Sequence, residues 1–247
     1  MRIHVTGATG YLGSELTRQA PEASTERAEV RNADAVLALL ERLRPDVVIH
    51  TAYRQDGPDA HEVNVVGSET VARAAAAVGA RLVHVSTDVV FDGRKGAPYV
   101  ESDSPGPVTE YGRAKAEAEA RVVTAHPHAL VVRTSLLYGG AEPSKHELAA
   151  RDPELTFYTD EIRSPVHVGD LAAALLELAV LELAGPLHVA GADAVSRAEL
   201  AQLIAGRPVR TGAALPGRPL DCTLDSSRAQ ALIRTPLRGV REVLAPR

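Results

Sequence analysis

The sequence predicts an α/β protein built on a doubly wound parallel sheet with a small C-terminal lobe. Short apolar runs alternate with helix-length segments along most of the chain, a pattern typical of parallel strands joined by helical crossovers. A glycine-rich turn follows the first apolar run, and a Tyr and a Lys stand four residues apart in a later predicted helix. Ligands of such sheets bind at the carboxyl ends of the strands, so we expect the site there.

The elements follow one another in a regular order. A predicted helix begins at residue 14, and Pro45 ends another that Asn32 or Asp34 would cap. Residues 88–109, rich in Gly, Pro and Asp, predict a loop over the site. Regularity is weaker at 136–165 and over about the last forty residues, where we expect an irregular lobe with a terminal helix. The predicted strands are 2–6, a short 22–27, 46–50, 81–85, 130–134 and 187–190, and the main helices are 34–43, 60–78, 111–125 and 170–183.

The glycine-rich turn has the spacing of a Rossmann dinucleotide-binding motif. Gly7, Gly10 and Gly13 lie three residues apart between a predicted strand and a predicted helix. Gly7 would permit the tight turn, Gly10 the approach of a pyrophosphate, and Gly13 close packing of the helix on the strand. The free N–H groups at the helix N-terminus would hold the phosphates. The alternative is a glycine-rich turn that binds nothing.

Tyr111 and Lys115 form a candidate proton-donating pair. Residues four apart share one helix face, and a nearby ammonium lowers the pKa of a tyrosine from its usual value near 10. Lowering that pKa to about 7 requires about 4 kcal/mol. One Lys supplies less than this, and an oxidised nicotinamide ring would add the remainder. The alternative is a surface Tyr beside a solvated Lys.

Composition narrows the classes of function. A net charge of -5 and a pI near 6.0 give no basic surface for nucleic acid. No apolar run reaches the roughly 20 residues that span a bilayer, and the first residues lead directly into a strand, so we expect neither a membrane segment nor a signal peptide. The single cysteine, Cys222, excludes an internal disulfide and favours the cytoplasm. The nine His lack metal-ligand spacing, so no metal site is predicted.

Together these motifs resemble the extended short-chain dehydrogenase/reductases, and within them the dTDP-4-dehydrorhamnose reductase family. The glycine and Tyr/Lys motifs are typical of the superfamily. The run Ser86-Thr87-Asp88-Val89-Val90-Phe91-Asp92-Gly93 and Arg218-Pro219 are typical of the subgroup. Further matches are 44–50, Asn64, Arg163-Ser164-Pro165, Asp170-Leu171-Ala172 and Leu224-Asp225.

The resemblance implies a reductase of a keto group on a nucleotide-linked deoxysugar, with NADPH as cofactor and NADH as the alternative. Thr87 would orient the carbonyl, Tyr111 would donate the proton, and Lys115 would bind the nicotinamide ribose. Thr87, Arg163 and Arg218 would contact substrate. The two Arg residues would bind its diphosphate through charge-assisted hydrogen bonds, or they could equally form structural ion pairs. The implied cofactor contacts are Gly7, Thr9, Gly10, Tyr11, Leu12, Gly13, Arg27, Thr51, Ala52, Tyr53, Ser86, Tyr111 and Lys115.

The resemblance also implies a division of the chain. Residues 1–135, completed by about 164–204, would form the NAD(P)-binding Rossmann domain. Residues 136–163 and 205–247 would form the small substrate-binding lobe. Family members often pair through the helices that cover the sheet, so a homodimer is one expectation, and the sequence leaves the oligomeric state open.

The chain departs from the family pattern at several points. Val89 replaces an aromatic residue, Thr109 stands where Asn is usual, and the loop 53–62 is short. Arg27 near the truncated second strand favours NADPH, whereas Asp34 would suit NAD but reads better as a helix cap. Two alternatives follow: a regulatory subunit resembling the β subunit of methionine adenosyltransferase, and a nucleotide-sugar epimerase. The resemblance disfavours a nucleotide-sugar dehydratase, because such an enzyme would need a second acidic residue at position 89, where this chain has Val89.

Overall fold

The computed structural model describes residues 1–245. Nine α-helices and eleven strands are assigned in this part of the chain. The strands are β1 Ile3–Thr6, β2 Val47–His50, β3 Arg81–Thr87, β4 Leu130–Thr134, β5 Leu137–Tyr138, β6 Thr156–Tyr158, β7 Ile162–Arg163, β8 Val166–His167, β9 Gly185–His188, β10 Val195–Ser196 and β11 Arg210–Gly212. The helices are α1 Tyr11–Gln19, α2 Ala33–Leu43, α3 Gly67–Ala77, α4 Glu110–Ala125, α5 Lys145–Arg151, α6 Val168–Leu178, α7 Arg197–Ala205, α8 Ser227–Gln230 and α9 Val240–Val243.

Five parallel strands form the central sheet in the order β1-β2-β3-β4-β9. Each overlaps a predicted strand, since runs buried on both faces are almost wholly apolar, although β9 begins two residues before the predicted 187–190. The predicted second strand at 22–27 is wrong: only Ser24 forms a parallel bridge, to His4. Glu22, Thr25 and Glu26 are exposed, so this segment has no apolar face to bury in the sheet.

Helices cover both faces of the sheet, as the doubly wound prediction required. One apolar core joins α1 and α6 to the sheet around Leu16, Leu171 and Leu175. A second core joins α2, α3 and α4 to the opposite face around Val71 and Val122. The predicted helix 60–78 is divided, because a π-helical turn at Glu62–Val66 precedes α3.

Side-chain caps fix where the main helices begin. Asn32, not Asp34, caps α2 by accepting a hydrogen bond from the Ala35 backbone N–H at 3.0 Å. Thr109 caps α4 by accepting from the Gly112 N–H at 3.0 Å, so α4 starts just before Tyr111. Such a cap stabilises a helix by about 1 kcal/mol. The residue that departs from the family pattern therefore has a structural role in this chain.

Two histidines lie face to face at the centre of the sheet. His50 of β2 and His84 of β3 are paired across the strands, with ring centroids 5.3 Å apart, and both are buried. Hydrogen bonds join His50 Nδ1 to Thr6 Oγ1 at 2.6 Å and His50 Nε2 to Ser68 Oγ at 3.1 Å. Burial lowers the pKa of His50 to about 3 and that of His84 well below its usual value, so both rings are neutral.

The irregular segments form a lobe over the carboxyl edge of the sheet. Three short strand pairs, β5–β8, β6–β11 and β7–β10, give regular structure to the irregular segment predicted at 136–165 and join it to later parts of the chain. Strands of two or three residues have no periodicity for a sequence to display, which is why they were not predicted. Helix α7 packs against α5 and β6 through Ala150, Phe157, Ala198 and Ala201, so it lies in the lobe.

Candidate active site

A cleft of about 690 Å³ opens between the carboxyl ends of the central strands and the lobe. It joins the glycine turn, the segment after β2, the end of β3 and the first turn of α4. All but one of the sequence-predicted site residues line it. These are Gly7, Thr9, Gly10, Tyr11, Leu12, Gly13, Thr51, Ala52, Tyr53, Ser86, Thr87, Tyr111, Lys115, Arg163 and Arg218.

The glycine turn is as tight as its spacing predicts. Gly7 has a φ of +73°, and a Cβ there would lie 2.7 Å from the Ala52 backbone nitrogen. A Cβ on Gly13 would lie 2.1 Å from the Gly7 carbonyl oxygen. Real Cβ atoms do not approach so closely, so neither position tolerates a larger residue without moving backbone. Only glycines at these positions allow α1 to lie this close to β1. The N-terminus of α1 therefore faces the cleft.

Tyr111 and Lys115 occupy the first turns of α4 and line the cleft together. The Lys115 side chain is 3% exposed and its Nζ donates a hydrogen bond to the Val85 carbonyl oxygen at 2.7 Å. Burial lowers the pKa of Lys115 to about 8, and Glu119 opposes that shift. The ring of Tyr53 lies 6.2 Å from the ring of Tyr111, centroid to centroid.

The protein's own groups raise the pKa of Tyr111 instead of lowering it. Burial is the largest cause, followed by Tyr53 and Asp88. We expected Lys115 to make this phenol acidic. That expectation is wrong when only the charges of the chain itself act on Tyr111, because together with burial they raise its pKa. Desolvation disfavours a phenolate, and the nearby Asp88 carboxylate opposes a second negative charge. The Tyr111 hydroxyl thus keeps its proton at neutral pH, which is the form that a proton donor requires.

Ser86 and Thr87 point to opposite sides of β3, as successive strand residues do. The Thr87 hydroxyl, at the mouth of the cleft, donates to Asp88 Oδ1 at 3.2 Å. The Ser86 hydroxyl is buried and donates to Glu119 Oε1 at 2.5 Å. Glu119 in turn forms a buried ion pair with Arg133 at 2.8 Å. The Ser86 hydroxyl therefore belongs to this internal network, and contact of Ser86 with the cofactor stays a prediction.

The predicted substrate ligand Arg163 has a structural role. It is 3% exposed and donates to the carbonyl oxygens of Ile162 at 2.7 Å, Leu220 at 2.5 Å and Pro219 at 3.0 Å. Those bonds attach β7 to the segment 219–220, and they leave the guanidinium few donors for a ligand. The structure therefore favours the alternative of a structural role for Arg163, and contact of Arg163 with a substrate diphosphate stays a prediction.

Arg218 lies at the rim of the cleft and is only partly available. Its guanidinium forms a forked ion pair with the buried carboxylate of Glu161. The guanidinium carbon lies 5.1 Å from the centre of the Tyr158 ring, in cation–π contact. The side chain remains 44% exposed. One face of the Arg218 guanidinium therefore lies against Tyr158, its hydrogen-bonding edge is engaged by Glu161, and its contact with substrate stays a prediction.

Three cationic or titratable side chains in the cleft were missed by the sequence analysis. Lys145 and His146 begin α5, and Arg197 begins α7. Lys145 Nζ reaches across the cleft and donates to Gln55 Oε1 at 2.7 Å. Burial lowers the pKa of His146 to about 3, with Arg197 and Lys145 adding to the shift. No motif marks these residues, because only the packing of the lobe brings them here.

Tyr11 ties the glycine turn to the lobe. Its hydroxyl accepts a hydrogen bond from the Gly140 N–H at 2.7 Å and donates to Glu147 Oε2 at 3.2 Å. Burial raises the pKa of Tyr11 to about 12. The ring lines the cleft, as predicted, while the hydroxyl fixes the turn that leads into α5.

Arg27 lies outside the main cleft, in a second cavity of about 710 Å³ on the other side of the glycine turn. Gly7, Thr9 and Ala52 line both cavities. Arg54, Glu26 and Glu29 also line the second one. The side chain of Arg27 is exposed, so it is accessible to a phosphate, and its role in cofactor choice stays a prediction.

Two further properties concern residues 1–245. No helix in that range has both the length and the apolar character needed to cross a membrane. Over the same range, no group of three or more His, Cys, Asp or Glu side chains is arranged to hold a metal ion. Cys222 is buried, and burial raises its thiol pKa to about 12, which makes it a poor nucleophile.

Comparison with known proteins identifies the family. Residues 1–245 match the RmlD substrate binding domain family. The dTDP-4-dehydrorhamnose reductase of Mycolicibacterium smegmatis is 36% identical over 98% of this chain and 84% of its own length. The Methionine adenosyltransferase 2 subunit beta of Rattus norvegicus is 29% identical over 99% of this chain and 87% of its length. The crystal structure of dTDP-4-dehydrorhamnose reductase from Bacillus anthracis in complex with NADP has 27% identity and a TM-score of 0.86, covering 98% of this chain and 96% of that one. The chain therefore belongs to the RmlD substrate binding domain family.

Proposed function

We propose that this chain is an NADPH-dependent reductase of a keto group on a nucleotide-linked deoxysugar. The observation that carries the proposal is the convergence of Thr87, Tyr111 and Lys115 with the glycine turn in one cleft. The dTDP-4-dehydrorhamnose reductases among its relatives, one of them solved with NADP, support the same reaction.

The residues of the glycine turn fit a dinucleotide. Side chains are excluded at Gly7 and Gly13, so backbone N–H groups and the N-terminus of α1 face the cleft. That surface favours a pyrophosphate. When bound, the reduced nicotinamide supplies a hydride to the substrate carbonyl carbon. Arg27 beside the turn favours a cofactor with a ribose 2′-phosphate, with NADH as the alternative.

The chain's own residues supply the proton and the orientation. Tyr111 holds its proton at neutral pH because burial raises its pKa, and it donates that proton to the carbonyl oxygen as general acid. Thr87 at the end of β3 orients the same oxygen by donating a hydrogen bond. Lys115, with a pKa of about 8, is an ammonium at pH 7 and stabilises the phenolate that Tyr111 becomes. The raised pKa keeps Tyr111 protonated before the transfer. After the transfer, the Lys115 ammonium limits the free-energy cost of the Tyr111 phenolate.

We assign the cofactor to residues 1–135 completed by 164–194, and the substrate to the lobe. Because α7 packs on α5 and β6, we move the start of the C-terminal part of the lobe from residue 205 to residue 195. The cleft between them is where both ligands would meet. A homodimer remains a proposal that sedimentation would test.

The test follows NADPH absorbance with a dTDP-4-keto-6-deoxyhexose as substrate. We expect turnover by the wild type and a loss of about 10²- to 10⁴-fold in kcat for Tyr111→Phe, the usual contribution of a general acid. Tyr138→Phe is the matched control, since Tyr138 is buried outside the cleft and its hydroxyl has no partner within residues 1–245. Equal rates for Tyr111→Phe and wild type would remove Tyr111 from the mechanism.

A regulatory role is the second candidate. The Methionine adenosyltransferase 2 subunit beta of Rattus norvegicus aligns with 99% of this chain, which favours a protein of the same kind. Such a protein would bind NADPH and act through a partner enzyme. NADPH binding without oxidation by any keto sugar of a panel would support this role, and turnover would exclude it as the main function.

A further inference from the structure

Arg197 carries a positive charge where the fold disfavours one. It is the first residue of α7, and the N-terminus of a helix bears a partial positive charge that repels cations. Burial, Arg163 and Arg218 lower its pKa, while Glu161 and Asp88 oppose that shift. Nothing in the packing of α7 requires a cation there, since Ser196 already caps the helix by accepting from the Glu199 N–H at 2.9 Å.

The other cations of the cleft already have partners. Arg163 donates to three backbone carbonyls, Arg218 pairs with Glu161, and Lys145 donates to Gln55. The two neighbouring carboxylates are also engaged: Asp88 accepts from Ser135 at 2.6 Å, and Glu161 holds Arg218. By contrast, the guanidinium of Arg197 makes no hydrogen bond or ion pair with any residue that the structure describes, and it lines the cleft.

Arg197 is partly buried, so its guanidinium has lost part of its hydration without gaining an acceptor among the described residues. It presents up to five N–H donors in a planar fork, a geometry that matches the paired oxygens of a phosphate or carboxylate. An anion entering the cleft would therefore gain charge-assisted hydrogen bonds and relieve the repulsion from Arg163 and Arg218. The nearby carboxylates of Asp88 and Glu161 do not supply these bonds, since neither forms a hydrogen bond or ion pair with the Arg197 guanidinium in the described residues.

We propose that Arg197 is the residue that recognises the diphosphate of the nucleotide-linked substrate. The inference rests on the proposed function, and it moves the role first assigned to Arg163 onto a residue that no sequence motif marks. The cleft then has two anion-binding sites: the glycine turn for the phosphates of the cofactor and Arg197 for the phosphates of the substrate. Arg197 lines the same cleft as Thr87 and Tyr111, so a diphosphate bound to Arg197 belongs to a ligand that shares the cleft with the proposed acid.

The test measures binding of thymidine diphosphate, thymidine monophosphate and thymidine by calorimetry in the presence of NADPH. We expect Arg197→Gln to weaken diphosphate binding by about 10- to 100-fold, the loss typical of hydrogen bonds to a charged group. Thymidine binding by Arg197→Gln should be unchanged. Arg197→Lys keeps the charge but loses the planar fork, so its affinity for the diphosphate should lie between those of the wild type and Arg197→Gln. Arg210→Gln is the matched control because Arg210 is an exposed lobe residue outside the cleft. NADPH affinity should be the same in all variants.

A melting curve separates recognition from structure. Because Arg197 is unpaired and repelled, Arg197→Gln should melt at or above the temperature of the wild type. Undiminished diphosphate binding by Arg197→Gln, no diphosphate binding by the wild type, or a melting temperature lowered by several degrees would each overturn the inference. Arg197-dependent diphosphate binding with no keto-sugar turnover would instead uphold the inference and reject the reductase.

Discussion

Replacing Lys115 by Met removes an ammonium that the fold buries almost completely. Lys115 is 3% exposed, and burial lowers its pKa from 10.5 to about 8. One pKa unit corresponds to about 1.4 kcal/mol, so keeping this charge in the folded chain costs about 3 kcal/mol at pH 7. The lost hydrogen bond to the Val85 carbonyl offsets about 1 kcal/mol. We therefore expect Lys115→Met to be about 2 kcal/mol more stable than the wild type at pH 7, although inactive.

The pH dependence gives the sharper test. The unfolded chain keeps the Lys115 proton up to about pH 10.5, whereas the folded chain releases it near pH 8, so wild-type stability rises with pH across that window. The advantage of Lys115→Met should therefore shrink from pH 7 to pH 10. Urea unfolding followed by circular dichroism at each pH measures this, with Lys95→Met as the surface control. A stability difference that stays constant over that range would refute the burial argument.

Three further predictions concern the turn, the internal ion pair and the reaction. Gly13→Ala places a Cβ 2.1 Å from the Gly7 carbonyl oxygen, so we expect the free energy of unfolding to fall by about 2 kcal/mol and NADPH to bind more weakly. Gly106→Ala is the control, because a Cβ there meets nothing within 4 Å. It should change neither the melting temperature nor the NADPH affinity. Arg133→Met leaves the buried Glu119 without its ion-pair partner, so the free energy of unfolding measured with urea should fall by about 3–5 kcal/mol. The double variant with Glu119→Leu should recover most of that free energy. Reductase kcat/KM should fall as pH rises through about 8, where Lys115 loses its proton; a profile still rising at pH 9.5 would contradict the role of its ammonium.

The central strands could be predicted because burial on both faces leaves a plain trace in the sequence. Residues 46–50 and 130–134 are apolar runs bounded by turns or helices, and both are sheet strands. The segment 22–27 has no such run, and the strand assigned to it reflected the usual order of elements more than its own residues. The short strands within 136–165 pair with strands later in the chain, and no local sequence pattern reports such distant contacts.

The site was predictable to the extent that spacing fixes geometry. Gly7 to Gly13 and Tyr111 to Lys115 are held by one turn or one helix, so their separations in sequence imply their separations in space. Whether an Arg faces carbonyl groups or a cleft depends on how the lobe packs, so Arg163 and Arg197 could not be told apart. One local signal did exist: the Ser196 cap with Glu199 three residues on places Arg197 at a helix start, where acids are favoured.

The stacked imidazoles of His50 and His84 set a lower limit to the pH that this fold withstands. Both are neutral in the folded chain and ionise near pH 6.5 once released from the sheet, so stability is lost as the medium becomes more acidic than that. For His50, whose folded pKa is about 3, the full loss amounts to about 5 kcal/mol, comparable to the entire stability of many domains. Mildly acidic surroundings would thus weaken the strands from their middle, where two protonated rings would repel each other as well as the nearby Lys115.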